Sequence, residues 1–149
     1  MIEAVSWDHP DAIALREALR VEIAQMYGRE GSEPVGSAAT GQDVAVFLLA
    51  YDNGRAVGCG GLRIIEDGVG EVKRMYVDPP YRGEGVSTAI LKAIEGWADE
   101  HAVRILRLET GDRLTAAHRF YEREGYTPIP LFGPYVGSAV SFCYEKRLA

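Results

Sequence analysis

The sequence predicts an α+β fold with a mixed sheet. An antiparallel meander leads into a β-α-β crossover, and a C-terminal α-β-β segment follows. Three observations lead to this prediction. Apolar, β-prone runs separated by short turns fill residues 44–77, which is typical of antiparallel strands. A Pro-Pro break and two glycines then precede a stretch with apolar residues at helical spacing. A further strand-like run follows, and a strand joined to the previous strand through a helix is expected to run parallel to it, with a right-handed crossover.

The N-terminal elements are predicted to be a short strand, from Ile2 to Val5, and a helix. Asp8 is predicted as the helix N-cap, because its side chain can accept from the first free N–H groups and Pro10 suits the first turn. Apolar residues recur at helical spacing until Gly28, which suits a helix end. Gly, Ser, Glu and Pro dominate from Arg29 to Asp43, and this stretch is interpreted as a loop long enough to be functional.

The meander is predicted to contain three strands. Asn53-Gly54 lies between the first two and indicates a type I′ hairpin turn, which needs positive φ at both central positions. Glycines within the second strand predict a bulge or a closely packed neighbour, and they are Gly58, Gly60 and Gly61. The strands are assigned to residues 44–51, 56–65 and 70–77.

The remaining elements alternate between helix and strand. Val86 is predicted to open an amphipathic helix whose apolar face continues to Trp97. The later elements are a strand at 103–108, a helix at 115–124 closed by Gly125, a strand at 126–129, a Pro- and Gly-rich loop at 130–137 and a strand at 138–147. No repeat or linker interrupts this pattern, so residues 1–149 are predicted to form a single domain.

Composition narrows the function classes. The chain has a formal net charge of −6 and a pI of about 5.1, which argues against nucleic acid and anionic membranes because both recruit clustered Lys and Arg. No apolar run approaches the roughly 20 residues of a membrane span, and no secretory signal opens the chain, so a cytoplasmic location is expected. Cys59 and Cys143 lie in apolar, strand-like segments without metal-ligand spacing. Both are expected to be buried free thiols, and no metal site is predicted.

The stretch from Met75 to Leu91 carries the most specific signal. A β-prone run ends at Pro79-Pro80, a turn with two glycines follows, and a helix begins at Val86. The first N–H groups of a helix lack intrahelical partners and lie at the positive end of its dipole, so together they bind anions. Glycines also remove the Cβ atoms that would keep a phosphate at a distance. We therefore expect the N–H groups from Gly83 to Thr88 to hold a pyrophosphate.

Two blocks of this sequence resemble one family. Arg82-Gly83-Glu84-Gly85-Val86-Ser87 is similar to the acetyl-CoA-binding segment of the GCN5-related N-acetyltransferase (GNAT) superfamily, although Ser87 stands where Gly or Ala is usual. The block from Ala117 to Tyr126 resembles the family's C-terminal helix, with Tyr121 shortly before a Gly-aromatic pair. Leu114 stands where the family usually has Asn. The order of predicted elements also resembles the GNAT fold, so the resemblance extends over nearly the whole chain.

The resemblance implies an N-acetyltransferase that uses acetyl-CoA as co-substrate. It implies that the strand of Met75–Val77 diverges from the strand of Ile105–Leu108, and that pantetheine amides pair with the exposed backbone. It also implies that Tyr121 is the acid for the leaving thiolate. A backbone N–H of the Met75–Val77 strand is the candidate donor to the thioester carbonyl. The residues implied to bind the co-substrate are Met75, Tyr76, Val77, Arg82, Gly83, Glu84, Gly85, Val86, Ser87, Thr88 and Tyr121.

Three candidates for the general base stay open. Glu71 lies eleven residues before Arg82, the spacing at which histone-acetylating relatives carry their catalytic Glu. Strand alternation predicts that Glu71 faces the same side as Lys73, Met75 and Val77. The alternative for Glu71 is an exposed strand residue paired with Lys73 or with a cation on the neighbouring strand. Glu109 is the second candidate for the base, and a water chain without a dedicated residue is the third.

The acceptor pocket is expected between the loop from Tyr27 to Ser37 and the loop from Leu131 to Gly137. Phe132 and Tyr135 are predicted to line it. Acidic residues near the first loop could attract an amine, although a solvated surface role is the favoured interpretation for them: Glu22, Glu30 and Glu33. The predicted reaction is direct acetyl transfer to a primary amine, most simply that of a small molecule.

Other functions stay open at this stage. One is acetylation of a protein N-terminus or lysine, and another is a non-catalytic module that binds acyl-CoA. A third is a dinucleotide-binding oxidoreductase, because strand, Gly-X-Gly and helix also open a Rossmann unit. Against it, Thr88 stands in place of the third glycine, and the preceding half is predicted to be an antiparallel meander. Monomer and homodimer are both open.

Overall fold

The structure is a computed structural model that describes residues 1–28 and 43–148. Within those residues the chain forms seven strands and three α-helices, with two 3₁₀ turns, at Pro79–Tyr81 and at Gly133–Tyr135. In chain order the elements are β1 (Ile2–Ala4), α1 (Pro10–Met26), β2 (Val44–Asp52), β3 (Arg55–Glu66), β4 (Val69–Val77), α2 (Val86–Glu100), β5 (Ile105–Gly111), α3 (Thr115–Arg123), β6 (Thr127–Ile129) and β7 (Ser141–Arg147).

The seven strands form one mixed sheet in the order β1-β2-β3-β4-β5-β7-β6. β2, β3 and β4 form the predicted three-stranded antiparallel meander, and β1 pairs antiparallel with β2 at its edge. β4 and β5 are parallel and are connected through α2, which confirms the predicted fold class. β7 lies between β5 and β6 and runs antiparallel to both, an arrangement that the sequence did not predict.

Both faces of the sheet are covered by helices, as the alternation along β2 illustrates. Val46 and Leu48 belong to the core beneath α2. Phe47 and Leu49 belong to the opposite core beneath α1. A strand buried on both faces is apolar throughout, which is why β2 is an uninterrupted apolar run in the sequence. Burial of each such large side chain stabilises the fold by about 1.5–3 kcal/mol.

Local turn signals gave one correct prediction and one error. Asn53 and Gly54 have φ values of 49° and 81°, so the predicted I′ hairpin turn is confirmed. Asp8 is not the N-cap of α1. The cap is His9, whose Nδ1 accepts a hydrogen bond from the Asp11 N–H at 3.1 Å. Pro10 occupies the first helical position, so the residue directly before it must be the cap.

A bulge at Arg74 interrupts β4. Lys73 pairs with Gly61 of β3. The next pair joins Tyr76 to Cys59, so β4 has one residue more than β3 between the two pairs. Arg74 has a φ of 61°, in the left-handed region that non-glycine residues seldom adopt. The extra residue shifts the side-chain alternation of β4 by one position.

This bulge overturns the predicted common face of Glu71, Lys73 and Met75. A Cβ atom at Gly60 would contact Met75 and a side chain of α2, so Met75 lies on the α2 face. A Cβ atom at Gly61, the ladder partner of Lys73, would lie 2.8 Å from a ring on the α1 face. Glu71 and Lys73 therefore face α1, whereas Met75 faces α2. The close approach at Gly60 and Gly61 confirms the packing neighbours that were predicted for the β3 glycines.

β4 and β5 diverge after a short parallel ladder. Their register pairs run from Val69 with Ile105 to Glu71 with Arg107. β4 continues to Val77 in contact with β3, while β5 continues alongside β7. The β5-facing backbone of β4 beyond Glu71 therefore lies outside the β4–β5 ladder. This divergence, which the family resemblance implied, opens a cleft between the two strands.

Candidate active site

A cavity of about 160 Å³ lies where β4 and β5 diverge. Residues of α1, α3 and the second 3₁₀ turn complete its wall. The structure thus brings together both predicted carboxylate bases, the predicted acid and one predicted acceptor-site residue. The chemically important residues of the wall are Glu71, Lys73, Met75, Glu109, Tyr121 and Tyr135.

Glu71 is buried rather than exposed. Only 2% of its surface is accessible, so the exposure assumed in the alternative is wrong, although the pairing with Lys73 that it named is present. The Tyr135 hydroxyl donates to Oε2 of Glu71 at 2.6 Å. Lys73 Nζ lies 3.8 Å from the same oxygen and donates to the Tyr135 hydroxyl at 3.3 Å. A buried carboxylate needs such partners, because desolvation of an isolated charge is unfavourable by several kcal/mol or more.

The same burial perturbs the two partners of Glu71. Burial raises the pKa of Tyr135, and the nearby Glu71 carboxylate raises it further, so Tyr135 stays a neutral hydrogen-bond donor. Burial lowers the pKa of Lys73, and the attraction of Glu71 opposes that change. Tyr135 is therefore suited to donate, while Lys73 supplies charge beside the carboxylate.

Glu109 is the second carboxylate on the cavity wall. Its Oε2 accepts from the Ser141 hydroxyl at 2.6 Å, and the Ser138 hydroxyl lies 2.8 Å from that of Ser141. Glu109 is half-buried at the end of β5. The second candidate base is thus held by the Ser141 hydroxyl of β7, the strand next to β5, with the Ser138 hydroxyl behind it.

Tyr121 reaches the cavity from α3. Its ring packs edge to face on Phe120 at 5.0 Å and on Tyr126 at 5.7 Å between centroids. No hydrogen bond to its hydroxyl comes from residues 1–28 or 43–148. Burial raises the pKa of Tyr121, so the phenol stays protonated and its O–H is available to a ligand. The ring of Tyr121 is thus packed in the core while its hydroxyl is available at the cavity, and its role as the acid stays a prediction.

Leu114 is the N-cap of α3 and also lines the cavity. Its side chain makes no capping hydrogen bond, as expected of a hydrocarbon. This is the position where the GNAT superfamily usually has Asn. The amide contact that such an Asn could make is replaced here by an apolar surface.

The glycine turn has the predicted geometry of an anion site. Gly83 and Gly85 have φ values of 81° and 83°, and Gly85 is the N-cap of α2. The first helical bond joins the Ala89 N–H to the Gly85 carbonyl, so the N–H groups from Val86 to Thr88 precede the helical ladder. A Cβ atom at either glycine would meet nothing within 4 Å. The positive φ, rather than crowding, is what requires glycine in this turn.

Arg82 connects this turn to two other elements. Its Nε donates to the Val77 carbonyl at 2.8 Å, and its Nη2 donates to Oε1 of Glu22 in α1 at 2.8 Å. Its guanidinium lies 5.4 Å from the ring centroid of Tyr76. Glu22 is thus engaged by Arg82. The other two acidic candidates, Glu30 and Glu33, lie outside the described residues.

The two predicted aromatic residues of the acceptor pocket differ in position. Tyr135 is 2% exposed and lines the cavity. Phe132 packs edge to face on Tyr135 with ring centroids 5.4 Å apart, but Phe132 does not line the cavity wall as far as the structure describes it. Phe132 therefore packs against the ring of Tyr135 without lining the described part of the cavity wall. The acceptor role predicted for each residue stays a prediction.

Sequence reasoning gave no role to three other residues at this site. Lys73 was named only as a residue on the same face as Glu71 and as its partner in the non-catalytic alternative. Its position two residues further along the strand could have indicated a contact with Glu71 inside the site. Thr110 lines the cavity, and its buried hydroxyl has no partner within the described part of the chain. Tyr27 bonds Asp112 at 2.9 Å and the Arg113 N–H at 2.8 Å, which joins the end of α1 to the loop after β5. Such long-range contacts leave no local signal.

The cysteines were predicted to be buried free thiols, and no metal site or membrane span was expected. Cys59 and Cys143 are buried free thiols, as predicted, and burial raises the pKa of Cys59 to about 12. No three His, Cys, Asp or Glu side chains from residues 1–28 and 43–148 converge as a metal site would require. In the same ranges, each helix is too short or too polar to cross a membrane.

Comparison with known proteins decides the family. The sequence profile of the Acetyltransferase (GNAT) family matches residues 9–126. The chain belongs to the GNAT family. An IAA acetyltransferase of Azospirillum brasilense is 33% identical over 137 residues, which cover 91% of this chain and 90% of that protein. GNAT membership and the antiparallel meander exclude the dinucleotide-binding oxidoreductase.

Solved GNAT structures agree with this architecture. A Klebsiella pneumoniae protein provisionally described as an acyl-CoA N-acyltransferase has a TM-score of 0.83 and 33% identity, covering 100% of this chain and 97% of its own. An Elizabethkingia anophelis GNAT acetyltransferase with acetyl-CoA bound has a TM-score of 0.73, with 99% and 97% coverage. Its identity is 16%, so it supports the fold alone. The present GNAT chain is an enzyme, an N-acetyltransferase.

Proposed function

We propose that this GNAT enzyme transfers an acetyl group directly from acetyl-CoA to the primary amine of a small molecule. The observation that carries the proposal is the cavity between the diverging strands. A buried, anchored carboxylate and a protonated tyrosine both line it. Attack of an amine on a thioester requires a group that accepts a proton from the amine and a group that donates to the leaving thiolate, and the carboxylate and the tyrosine are suited to these two tasks.

The donor-binding part of the proposal rests on two features of the backbone. The N–H groups from Val86 to Thr88 precede the ladder of α2 and are suited to the pyrophosphate of acetyl-CoA. β4 beyond Glu71 lies outside the ladder with β5, so its backbone can pair with the pantetheine amides. Arg82 lies at the rim between these two features and can add positive charge there.

In the proposed reaction, the neutral amine attacks the thioester carbonyl, a C–N bond forms and the C–S bond breaks. Glu71 accepts the proton of the acceptor's ammonium group before the attack, and the second proton, which the nitrogen loses as the amide forms, goes to the departing thiolate. Tyr121 donates a hydrogen bond to that thiolate or relays this proton to it. A thiol has an ordinary pKa of about 8.5, and burial raises the pKa of Tyr121 above its ordinary value of about 10. A hydrogen bond to the thiolate is therefore favoured over complete proton transfer.

The size of the cavity supports a small acceptor. Its volume of about 160 Å³ is below the range of about 300–1,000 Å³ that drug-sized ligands occupy. This space suits an acetyl group and a short amine. Acetylation of a flexible peptide stays the alternative outcome of the assay below.

Two measurements test the proposal. Thermal shift titration is expected to give stabilisation by acetyl-CoA and none by NAD, since ligand binding to the native state raises the melting temperature. Release of CoA thiol is then followed over a panel of amino acids, polyamines, aminoglycosides and peptides. At least one small amine should raise the release above background hydrolysis. Activity confined to peptides would overturn the small-molecule assignment, and no activity on any amine would overturn acetyl transfer to an amine.

A further inference from the structure

Three buried polar groups form a closed triangle on the cavity wall. The Tyr135 hydroxyl lies 2.6 Å from Oε2 of Glu71, Lys73 Nζ lies 3.3 Å from that hydroxyl, and Nζ lies 3.8 Å from Oε2. Glu71 and Lys73 come from β4, and Tyr135 comes from a 3₁₀ turn 64 residues along the chain from Glu71. A tertiary contact thus holds a strand carboxylate in place.

The two carboxylate oxygens of Glu71 differ in their contacts with the triangle. Within the described part of the chain, hydrogen bonds and the ion pair reach only Oε2. Glu71 lines the cavity, so Oε1 is the oxygen left for a ligand. Hydrogen bonds to a charged acceptor are stronger than those between neutral groups, so the bond from Tyr135 favours one orientation of the carboxylate.

The bulge at Arg74 makes this arrangement possible. Because the extra residue shifts the alternation, Glu71 and Lys73 share the α1 face, while Met75 turns to the α2 face. Lys73 and Tyr135 can then meet Glu71 on one side of β4, and the strand beyond the bulge can serve the acetyl donor.

We propose that Lys73 and Tyr135 are positioning residues, which hold Glu71 by Oε2 so that Oε1 receives the proton of the acceptor amine. This inference rests on the proposed function, in which Glu71 is the base. It gives Lys73 a role, and it changes the role of Tyr135 from contact with the acceptor to orientation of the base.

A double-mutant cycle tests the inference, because a residue that acts through Glu71 has no effect once Glu71 cannot accept a proton. The variants are Tyr135→Phe, Glu71→Gln and the combination of both. Tyr135→Phe keeps the ring and its packing on Phe132. We expect Tyr135→Phe to lower kcat about tenfold with an unchanged KM for acetyl-CoA, and to lower it no further when added to Glu71→Gln.

Lys73 is tested in a second cycle, because Lys73→Met alone leaves a buried carboxylate without its cation and can prevent folding. The combination of Glu71→Gln with Lys73→Met removes both charges and keeps the variant measurable. We expect this pair to have the same kcat as Glu71→Gln alone. A further fall in kcat with acetyl-CoA binding kept would overturn the positioning role of Lys73.

Tyr144→Phe is the matched control. Tyr144 is also buried and donates to a glutamate, Glu122, at 3.0 Å, but it lies away from the cavity. We expect its kcat to be unchanged. An equal loss from Tyr135→Phe in the wild-type and Glu71→Gln backgrounds would overturn the inference and leave the proposed function intact. Full activity of Glu71→Gln would instead remove Glu71 as the base.

Discussion

Replacement of Tyr121 by Phe isolates the proposed acid from the packing of its ring. The hydroxyl receives no hydrogen bond from the described residues, and the ring contacts with Phe120 and Tyr126 are kept in the variant. We therefore expect the free energy of unfolding to change by less than about 1 kcal/mol. A hydrogen bond to a thiolate is worth about 1.5–3 kcal/mol, so its loss from the transition state should lower kcat by about 10- to 150-fold.

The assay follows CoA thiol release at saturating acceptor, with acetyl-CoA affinity measured separately by thermal shift. Tyr126→Phe provides a matched control. Tyr126 is buried against Tyr121, but its hydroxyl donates to Glu95 at 2.9 Å and does not line the cavity. Its loss should lower the free energy of unfolding by about 1 kcal/mol, because Lys146 still bonds Glu95 at 3.1 Å. Its kcat should be unchanged.

Unchanged turnover in Tyr121→Phe would remove Tyr121 from the mechanism. Equal losses of kcat in both variants would show that the packing of the aromatic cluster, rather than the phenol O–H, determines the rate. The proposed acid role requires the kcat effect to be confined to Tyr121→Phe.

Four further predictions rest on backbone conformation, packing and burial. Gly85→Ala should lower the free energy of unfolding by about 1–2 kcal/mol, because φ is 83°, and should weaken acetyl-CoA binding in a calorimetric titration. Gly60→Ala should destabilise by about 1–3 kcal/mol in urea, because its Cβ would lie 2.8 Å from a methyl group of α2. Gly96→Ala in the same helix, where a Cβ meets nothing within 4 Å, should stabilise by about 0.5–1 kcal/mol, and destabilisation there would contradict the packing argument. Cys59, whose pKa is raised to about 12, and buried Cys143 should not react with a thiol reagent at pH 8 until urea unfolds the protein, and fast labelling of the native protein would refute that burial.

Elements with strong local signals were predicted closely. α2 begins at Val86 and α3 at Thr115, as the sequence indicated. The hairpin at Asn53-Gly54 was also predicted, because its turn type depends on two residues alone. The end of β4 was also predicted, since prolines lack the N–H that a further ladder bond needs. The glycine turn was predicted because a positive φ favours glycine.

The bulge at Arg74 had no such signal. The residue with the positive φ is an arginine rather than a glycine, so its type gives no indication of a bulge. The β3–β4 ladder continues on both sides of Arg74. Consequently the sequence predicted the strand correctly but placed Met75 on the wrong face relative to Glu71. One inserted residue reverses every later side chain of a strand, so a face assignment fails unless the bulge is known.

The sequence by itself determined the class of fold and the glycine turn before α2, because these depend on short-range backbone chemistry. Its resemblance to the GNAT family supplied Tyr121 and Glu71 as the candidates for acid and base. Only the tertiary structure decided that Glu71 is buried, that Tyr135 and Lys73 hold it, and that β7 separates β5 from β6. These features join residues as far as 64 positions apart. They arise from the packing of distant segments around one cleft, which no local pattern encodes.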